Sequence, residues 1–518
     1  MSVAEKKPVP GIALFHEDYY NSDASTIAEH LDSFGRYSRF PIYLVNLAFG
    51  FPPGLQDYEF SACVFSYTLR PTIHWLTPDL ENYLNSCPRS YRVAIFQDEV
   101  WYFQERFSFL KRCKIDCLYS RHKPRHVRDI YAEHVPVKDY VHYLAGYVAE
   151  DLVARAASLA QPYRDRRIDV GYRGRRLPFY MGRGGQEKAE IGRRFLELAA
   201  GRGLCLDIAL EERDRLYGEA WHRYLAGCKA VLGVEGGVSI IDRSGEFCRR
   251  SERILKENPD LTFDEFANHM GADFIEQEDK IDYRSLTPRH FEAAAFRNLQ
   301  ILFEGNYDGL MEPGVHYVPL RKDFSNMEEV LLTLKNPERC LAIVNRAYHD
   351  LIASGRFTYA QFIRDFDQRL IAAGVKEPGS NRPVCPSLTA YLANWTAGRV
   401  QTQDFSALVN RRHQEKMISK ELFERASELL CQQAVDLDRR RVGDYSSCKR
   451  WLERNADRAF FAQLGRVLGV TPPSRPVLAW LQDRPWWNHW QVFRFIRLAL
   501  RAYHKYRPLR GGPGLARQ

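Results

Sequence analysis

The sequence predicts an α/β protein of two tandem Rossmann-like domains followed by a mainly helical C-terminal extension. Three observations carry this. Short apolar runs recur through the first 125 residues and again from about residue 167, stretches with helical spacing lie between them, and strand signals fade beyond "GVKEPGSNRPVCPS". Runs that are apolar on both faces suit strands buried between two helix layers, which means a parallel sheet. At 518 residues the chain exceeds one ordinary core, so two or three domains are expected.

In the first domain (residues 1–160) the strand candidates are "GIALFH" (11–16), "IYLVNL" (42–47), "ACVFSY" (62–67), "RVAIFQ" (92–97) and "IDCLYS" (115–120). Between the first two, "ASTIAEHLDSFGRYSRF" carries Ile27, Leu31 and Phe34 at helical spacing, with Gly35 as a helix stop. The stretch "VKDYVHYLAGYVAEDLVARAASLA" reads as mainly helical and closes this half. The second domain (161–375) repeats the pattern. "RIDVGYRG" (167–174) and "LCLDIAL" (204–210) are strands around an amphipathic helix, "WHRYLAGCKAVLGVEGG" is a helix and then a strand, and "QILFEG" (300–305) is another strand. A charged helical insertion occupies about 243–280, and residues 376–518 form a helical, basic extension.

Hydrophobic residues at 45% and charged residues at 27% describe a soluble globular protein without a membrane span. The start "MSVAEKKPVPG" lacks a secretion signal, which points to the cytoplasm. Eleven scattered cysteines fit reduced thiols there. No metal-ligand spacing and no nucleophile motif is present, so no metal and no cofactor are expected. The net charge is +9, and its placement matters more than its sum. "WWNHWQVFRFIRLALRAYHKYRPLR" sets Arg494, Arg497, Arg501 and Lys505 on one helical face, a pattern that suits either a solvated face or an anionic membrane surface. No nucleic-acid module accompanies it.

In an open parallel sheet, ligands bind outside the carboxyl ends of the strands. The polar residues there are His16, Glu17 and Asp18 after the first strand, Asp98 and Glu99 after the fourth, and Arg121 and His122 after the fifth. Asp98, Glu99, His16 and Asp23 are the candidates for proton transfer. In the second domain, "GYRGRRLPFYMGRGGQEKAEIG" places Arg173 and Arg175 after a strand and Lys188 at the start of the next helix. Cations and glycine N–H groups at such a turn suit a pyrophosphate. "VLGVEGGVSIID" runs a strand into Glu235, Gly236 and Gly237, where missing side chains allow close approach. Thr287 and Pro288 open a helix in "TPRHFEAAAFR", with Arg289 and Glu292 in its first turns.

This order of strand, arginine turn, lysine-bearing helix, "EGG" and then "SLTPRHFEAAAFRNLQILFEG" resembles the donor-binding half of bacterial group 1 glycosyltransferases of the GT-B fold, in the subset whose motif reads P-R-x-F-E-A-A-A. "VHYVPLRKDFSNMEEVL" (315–331), "HEDYYNSDASTIAEHL" and "FQDE" resemble the same subset. The resemblance implies sugar transfer from a nucleotide diphosphate sugar to a glycan or lipid-linked glycan, in cell-surface polysaccharide synthesis and without an obligatory metal. It implies that Glu292 holds the ribose, and that Arg173 or Arg175 with Lys188 contacts the diphosphate, beside Gly236, Gly237, Pro288 and Arg289. Retaining members carry a glutamate eight positions before the ribose acid, where this chain has Arg284; Glu235 is the candidate to replace it. The alternative is a catalytically degenerate nucleotide-sugar sensor or scaffold of the same fold.

Overall fold

The computed structural model describes residues 6–17, 25–47, 50–69, 76–101, 103–379 and 385–402. Asp18, Asp23 and the basic stripe at 494–505 lie outside them. The first half contains β1 (Lys7–His16), α1 (Ser25–Tyr37), β2 (Ile42–Asn46), β3 (Tyr58–Phe65), α2 (Pro78–Asn85), β4 (Tyr91–Ile95), α3 (Phe103–Arg112), β5 (Cys117–Ser120), α4 (Pro124–Val127), β6 (Asp139–His142) and α5 (Glu150–Ser158). Then come β7 (Ile168–Arg173), α6 (Arg183–Ala199), β8 (Leu206–Ala209), α7 (Gly218–Gly227), β9 (Cys228–Gly233), α8 (Glu246–Glu257), α9 (Phe263–Met270), α10 (Ala272–Ile275), α11 (Pro288–Ala295), β10 (Leu299–Phe303) and β11 (Val318–Leu320). Helices α12 (Met327–Leu334), α13 (Pro337–Tyr348), α14 (Tyr359–Ala372) and α15 (Pro386–Thr402) follow.

Two wholly parallel sheets result, ordered β2-β1-β3-β4-β5-β6 and β11-β10-β9-β7-β8. Strand β1 shows why. Ile12 and Leu14 enter one apolar layer while Ala13 and Phe15 enter the other, so both faces of the strand are dry, as a helix-covered parallel sheet requires. In each sheet the direction of winding reverses once, between β1 and β3 and between β7 and β9. Those reversals open the crevices where ligands of such sheets sit.

Two expectations need correction, and one strand was not foreseen. The stretch read as mainly helical from 137 contains β6 before α5. Helix α1 runs through Gly35 to Tyr37 because Gly35 does not take a left-handed conformation, and a Cβ there would meet none of the described residues. Strand β11 carried no clear sequence signal. The inserted helices α8, α9 and α10 fold around their own small cluster of Ile240, Phe266, Met270 and Phe274.

After the second sheet the chain returns to the first. Helix α14 packs on α1, and buried Asp367 accepts hydrogen bonds from Ser38 Oγ (2.9 Å) and the Arg39 N–H (2.6 Å). Leu388 and Leu392 of α15 are buried in the same half. Among the described residues no helix is long and apolar enough to cross a membrane.

Candidate functional site

Loops at the carboxyl ends of the two sheets meet. The Glu99 N–H donates to Tyr283 Oη (2.7 Å), and the Asp242 N–H donates to the Val100 carbonyl (3.1 Å). Asp282 receives Lys123 (2.8 Å) and Arg125 (2.7 Å) on one carboxylate oxygen. Tyr283 also lies against the buried His122 ring, with centroids 4.6 Å apart. The segment 281–285 thus joins the two halves of the crevice.

On the second-sheet side, Lys188 lies past the first turn of α6 rather than at its start, because the helix already begins at Arg183. Burial lowers its ammonium to about 8; Arg175 and Arg289 push the same way, while Asp98 from the first sheet and Glu187 oppose them. Lys188 Nζ makes no hydrogen bond or ion pair among the described residues, and neither does exposed Arg175. A desolvated ammonium beside two guanidiniums, without a paired carboxylate, is an anion site in charge and placement.

Glu292, on α11, accepts from Trp221 Nε1 (2.7 Å) through Oε2, and its Oε1 accepts no hydrogen bond among the described residues. Burial raises its carboxyl, with the Trp221 N–H and then Arg289 holding it back. Arg289 stands 5.2 Å from the Trp221 ring and donates to the Arg173 carbonyl (2.5 Å), which ties the start of α11 to the end of β7. At that start Thr287 is the N-cap, and His290, three residues on, reaches back to it: its Nδ1 accepts from the Thr287 N–H at 3.0 Å. Pro288 packs on the first half, so closely that a Cβ at Gly146 would stand 2.6 Å from its ring.

Several sequence candidates are committed elsewhere. Arg173 is the first: its Nη2 pairs with Asp207 (3.0 Å), its Nη1 donates to Tyr224 Oη (2.9 Å), and it stacks 4.2 Å over the Tyr224 ring. The N–H groups at the start of α6 are also taken, Gly184 by Ser239 Oγ (2.8 Å) and Arg183 by Glu278 (2.6 Å). The close approach at Gly236 and Gly237 is by the protein's own chain. Gly236 bridges Ser285 in antiparallel fashion, and a Cβ at Gly237 would lie 2.3 Å from the Tyr283 carbonyl. Glu235 accepts from the N–H groups of Asn306 (3.1 Å) and Tyr307 (2.8 Å), which binds it to the turn after β10. Arg284 pairs with Glu187 (2.9 Å) and Asp279 (3.2 Å), and Lys322 joins Glu187 (2.8 Å).

On the first-sheet side the two neighbouring acids differ. Glu99 is fully buried and accepts from Ser120 Oγ (2.9 Å), the Arg121 N–H (2.6 Å) and Tyr131 Oη (2.6 Å). It is a structural acid, closed to a substrate. Asp98 is exposed in a left-handed conformation (φ 52°), and buried Arg106 donates to its carbonyl at 3.0 Å and to that of Trp101 at 3.2 Å. Such strain in a non-glycine residue persists only where surroundings impose it. His16 ends β1 almost buried; desolvation lowers its imidazole to about 4 against the opposing charge of Glu17, and Nδ1 has no hydrogen-bond partner among the described residues. It is therefore neutral at neutral pH.

The structure thus gathers Lys188, Arg175, Arg289 and Asp98 about one crevice, with Glu292 reached through Arg289. Sequence reasoning passed over Trp221, Asp282 and Tyr283. The first had a signal, because Trp221 and Tyr224 in "AWHRYL" are one helical step apart; the others lie in a charged run without periodicity. Among the described residues, no group of three or more His, Cys, Asp or Glu is placed to hold a metal ion.

Neither a protein-family model nor a curated protein sequence matches the chain. Comparison with solved structures finds distant likenesses. HepE of Anabaena in complex with UDP and glucose is 9% identical, with a TM-score of 0.40 over 70% of this chain and 99% of that one. Sucrose-phosphate synthase of Thermosynechococcus elongatus is 13% identical, with a TM-score of 0.36 over 71% and 100% of the two chains. The pneumococcal O-GlcNAc transferase GtfA in complex with UDP and GlcNAc is 12% identical, with a TM-score of 0.30 over 60% and 57%.

Proposed function

We propose that this chain is a GT-B glycosyltransferase that moves a sugar from a nucleotide diphosphate sugar to a glycan or glycolipid acceptor, in bacterial cell-surface polysaccharide synthesis. The observation that carries this is Lys188, a largely desolvated cation beside Arg175 and Arg289 that makes no ion pair among the described residues. In this reading the diphosphate supplies the missing negative charge. As the sugar leaves, charge grows on the diphosphate, and fixed cations in a water-poor crevice stabilise it without reorganising. Oε1 of Glu292 accepts from a ribose hydroxyl. Asp98, exposed after β4 of the other sheet, takes a proton from an acceptor hydroxyl in this reading. Protein cations balance the leaving group, so turnover is expected to persist in chelator.

The second reading is a nucleotide-sugar sensor. One observation favours it: Glu235, the candidate replacement for the acid missing at Arg284, is held by its own turn. A panel of nucleotide sugars, followed by thermal shift and by sugar release, separates the two. Stabilisation with slow hydrolysis supports the transferase, and stabilisation without release supports the sensor. If no nucleotide stabilises the protein, both are wrong. Glu292→Ala is expected to fold and to bind the stabilising donor at least tenfold more weakly.

A further inference from the structure

The geometry points to Trp221 as the positioning residue that aims the Glu292 carboxylate at the ribose. This rests on the donor-site reading above, and Trp221 acts through Glu292 rather than on the substrate. Four side chains form a continuous stack from the end of β7 to α11. Arg173, fixed by Asp207, lies 4.2 Å over Tyr224; Tyr224 stacks on Trp221 with centroids 5.6 Å apart and planes at 25°; and Arg289 stands 5.2 Å from the other end. Tyr224 Oη donates to the Asp207 carbonyl at 2.6 Å, so the middle of the stack cannot turn.

Cation–π contacts and ring stacking fix the indole plane, and the indole has a single N–H to give. That N–H goes to Glu292 Oε2 at 2.7 Å. One carboxylate oxygen is therefore occupied, and the other is held in a set direction with its lone pairs available. A glutamate on a helix otherwise has three free torsions, and a binding group gains affinity when its rotamer is fixed beforehand. This also explains what Arg173 does: it sits at the strand end where a phosphate contact was expected, and it anchors the stack instead.

The test uses the full chain with UDP, GDP and ADP, each beside its 2′-deoxy form, by calorimetry. The wild type is expected to bind one ribonucleotide about tenfold more tightly than its deoxy form, the value of one hydrogen bond to a charged group. Trp221→Phe keeps a ring in the stack and removes only the donor. It is expected to weaken the ribonucleotide about tenfold, leave the deoxy form nearly unchanged, and so erase the ratio without lowering Tm. Trp221→Gln places an amide N–H at the same number of bonds from Cα and should restore part of the ratio, which keeps the idea testable if the phenylalanine variant folds poorly. A retained ribose preference in folded Trp221→Phe overturns the positioning role and leaves the donor site standing. A wild type that binds without ribose preference removes the role of Glu292, and the proposal with it. Failure to bind any nucleoside diphosphate sinks the donor-site reading itself.

Discussion

Lys188 is where cost and function are most clearly opposed. Its value of about 8 lies below the ordinary 10.5 because burial penalises the charged form. Between about 8 and 10.5 the unfolded chain holds this proton more tightly than the folded one, so stability rises with pH through that window, and at pH 7 the whole penalty is present. Lys188→Met should therefore raise Tm while weakening nucleoside diphosphate binding by tenfold or more; a variant that loses both would mean that the ammonium has a stabilising partner. The binding side has the opposite sign. Affinity in the wild type should fall as pH rises above about 8, whereas Lys188→Arg, always charged, should bind without that fall. Calorimetry at pH 7 and 9 distinguishes them. At this scale the sequence pointed to polar groups after parallel strands, and the structure brings Lys188, Arg175, Arg289 and Asp98 toward one crevice. It could not divide Asp98 from Glu99. One turn exposes the first and buries the second against Ser120, Arg121 and Tyr131, and those partners are distant in sequence.

Among elements, the two strands missed in the sequence are both edges, although the edge strand β8, with no buried residue, was legible. Strand β6 closes one side of its sheet with only Val141 buried, and β11 is three residues with Pro319 at its centre. Both are tolerated at an edge, and neither is long enough to leave a strand pattern of its own. The segment 283–287 was hidden for another reason. It pairs with Gly236 across the whole insertion, and no local pattern records such a contact. Gly237 pays for that pairing twice, in its left-handed φ of 92° and in the 2.3 Å that would separate a Cβ from the Tyr283 carbonyl. Gly201 shares the positive φ (73°) with open space around it. Gly237→Ala is therefore expected to cost about 3 kcal/mol or more, and Gly201→Ala about 1 kcal/mol. Urea denaturation gives both numbers, and equal losses would show that the 283–287 segment moves aside freely.

For the molecule as a whole, what holds the two sheets in one body can be decided by magnitude. Asp282 with Lys123 and Arg125 is the obvious clamp, yet Asp282 is 28% exposed and Arg125 65%, and partly solvated pairs contribute roughly 1 kcal/mol or less. Against it stands the returning helix α14. Phe362 is buried and meets the rings of His30, Phe34, Tyr119, Tyr143 and Tyr147, every one from the first half. A buried phenylalanine cut to alanine costs about 3–5 kcal/mol. The apolar return should dominate, and the clamp should set the geometry of the crevice rather than its stability. In calorimetry, Asp282→Ala is expected to shift Tm only slightly and keep the transition shape of the wild type. Phe362→Ala should lower Tm several times further, because the face of α1 loses its cover. If Asp282→Ala proves the more damaging, electrostatics across the crevice hold the halves together, and the segment 281–285 becomes the hinge on which closure over a donor depends.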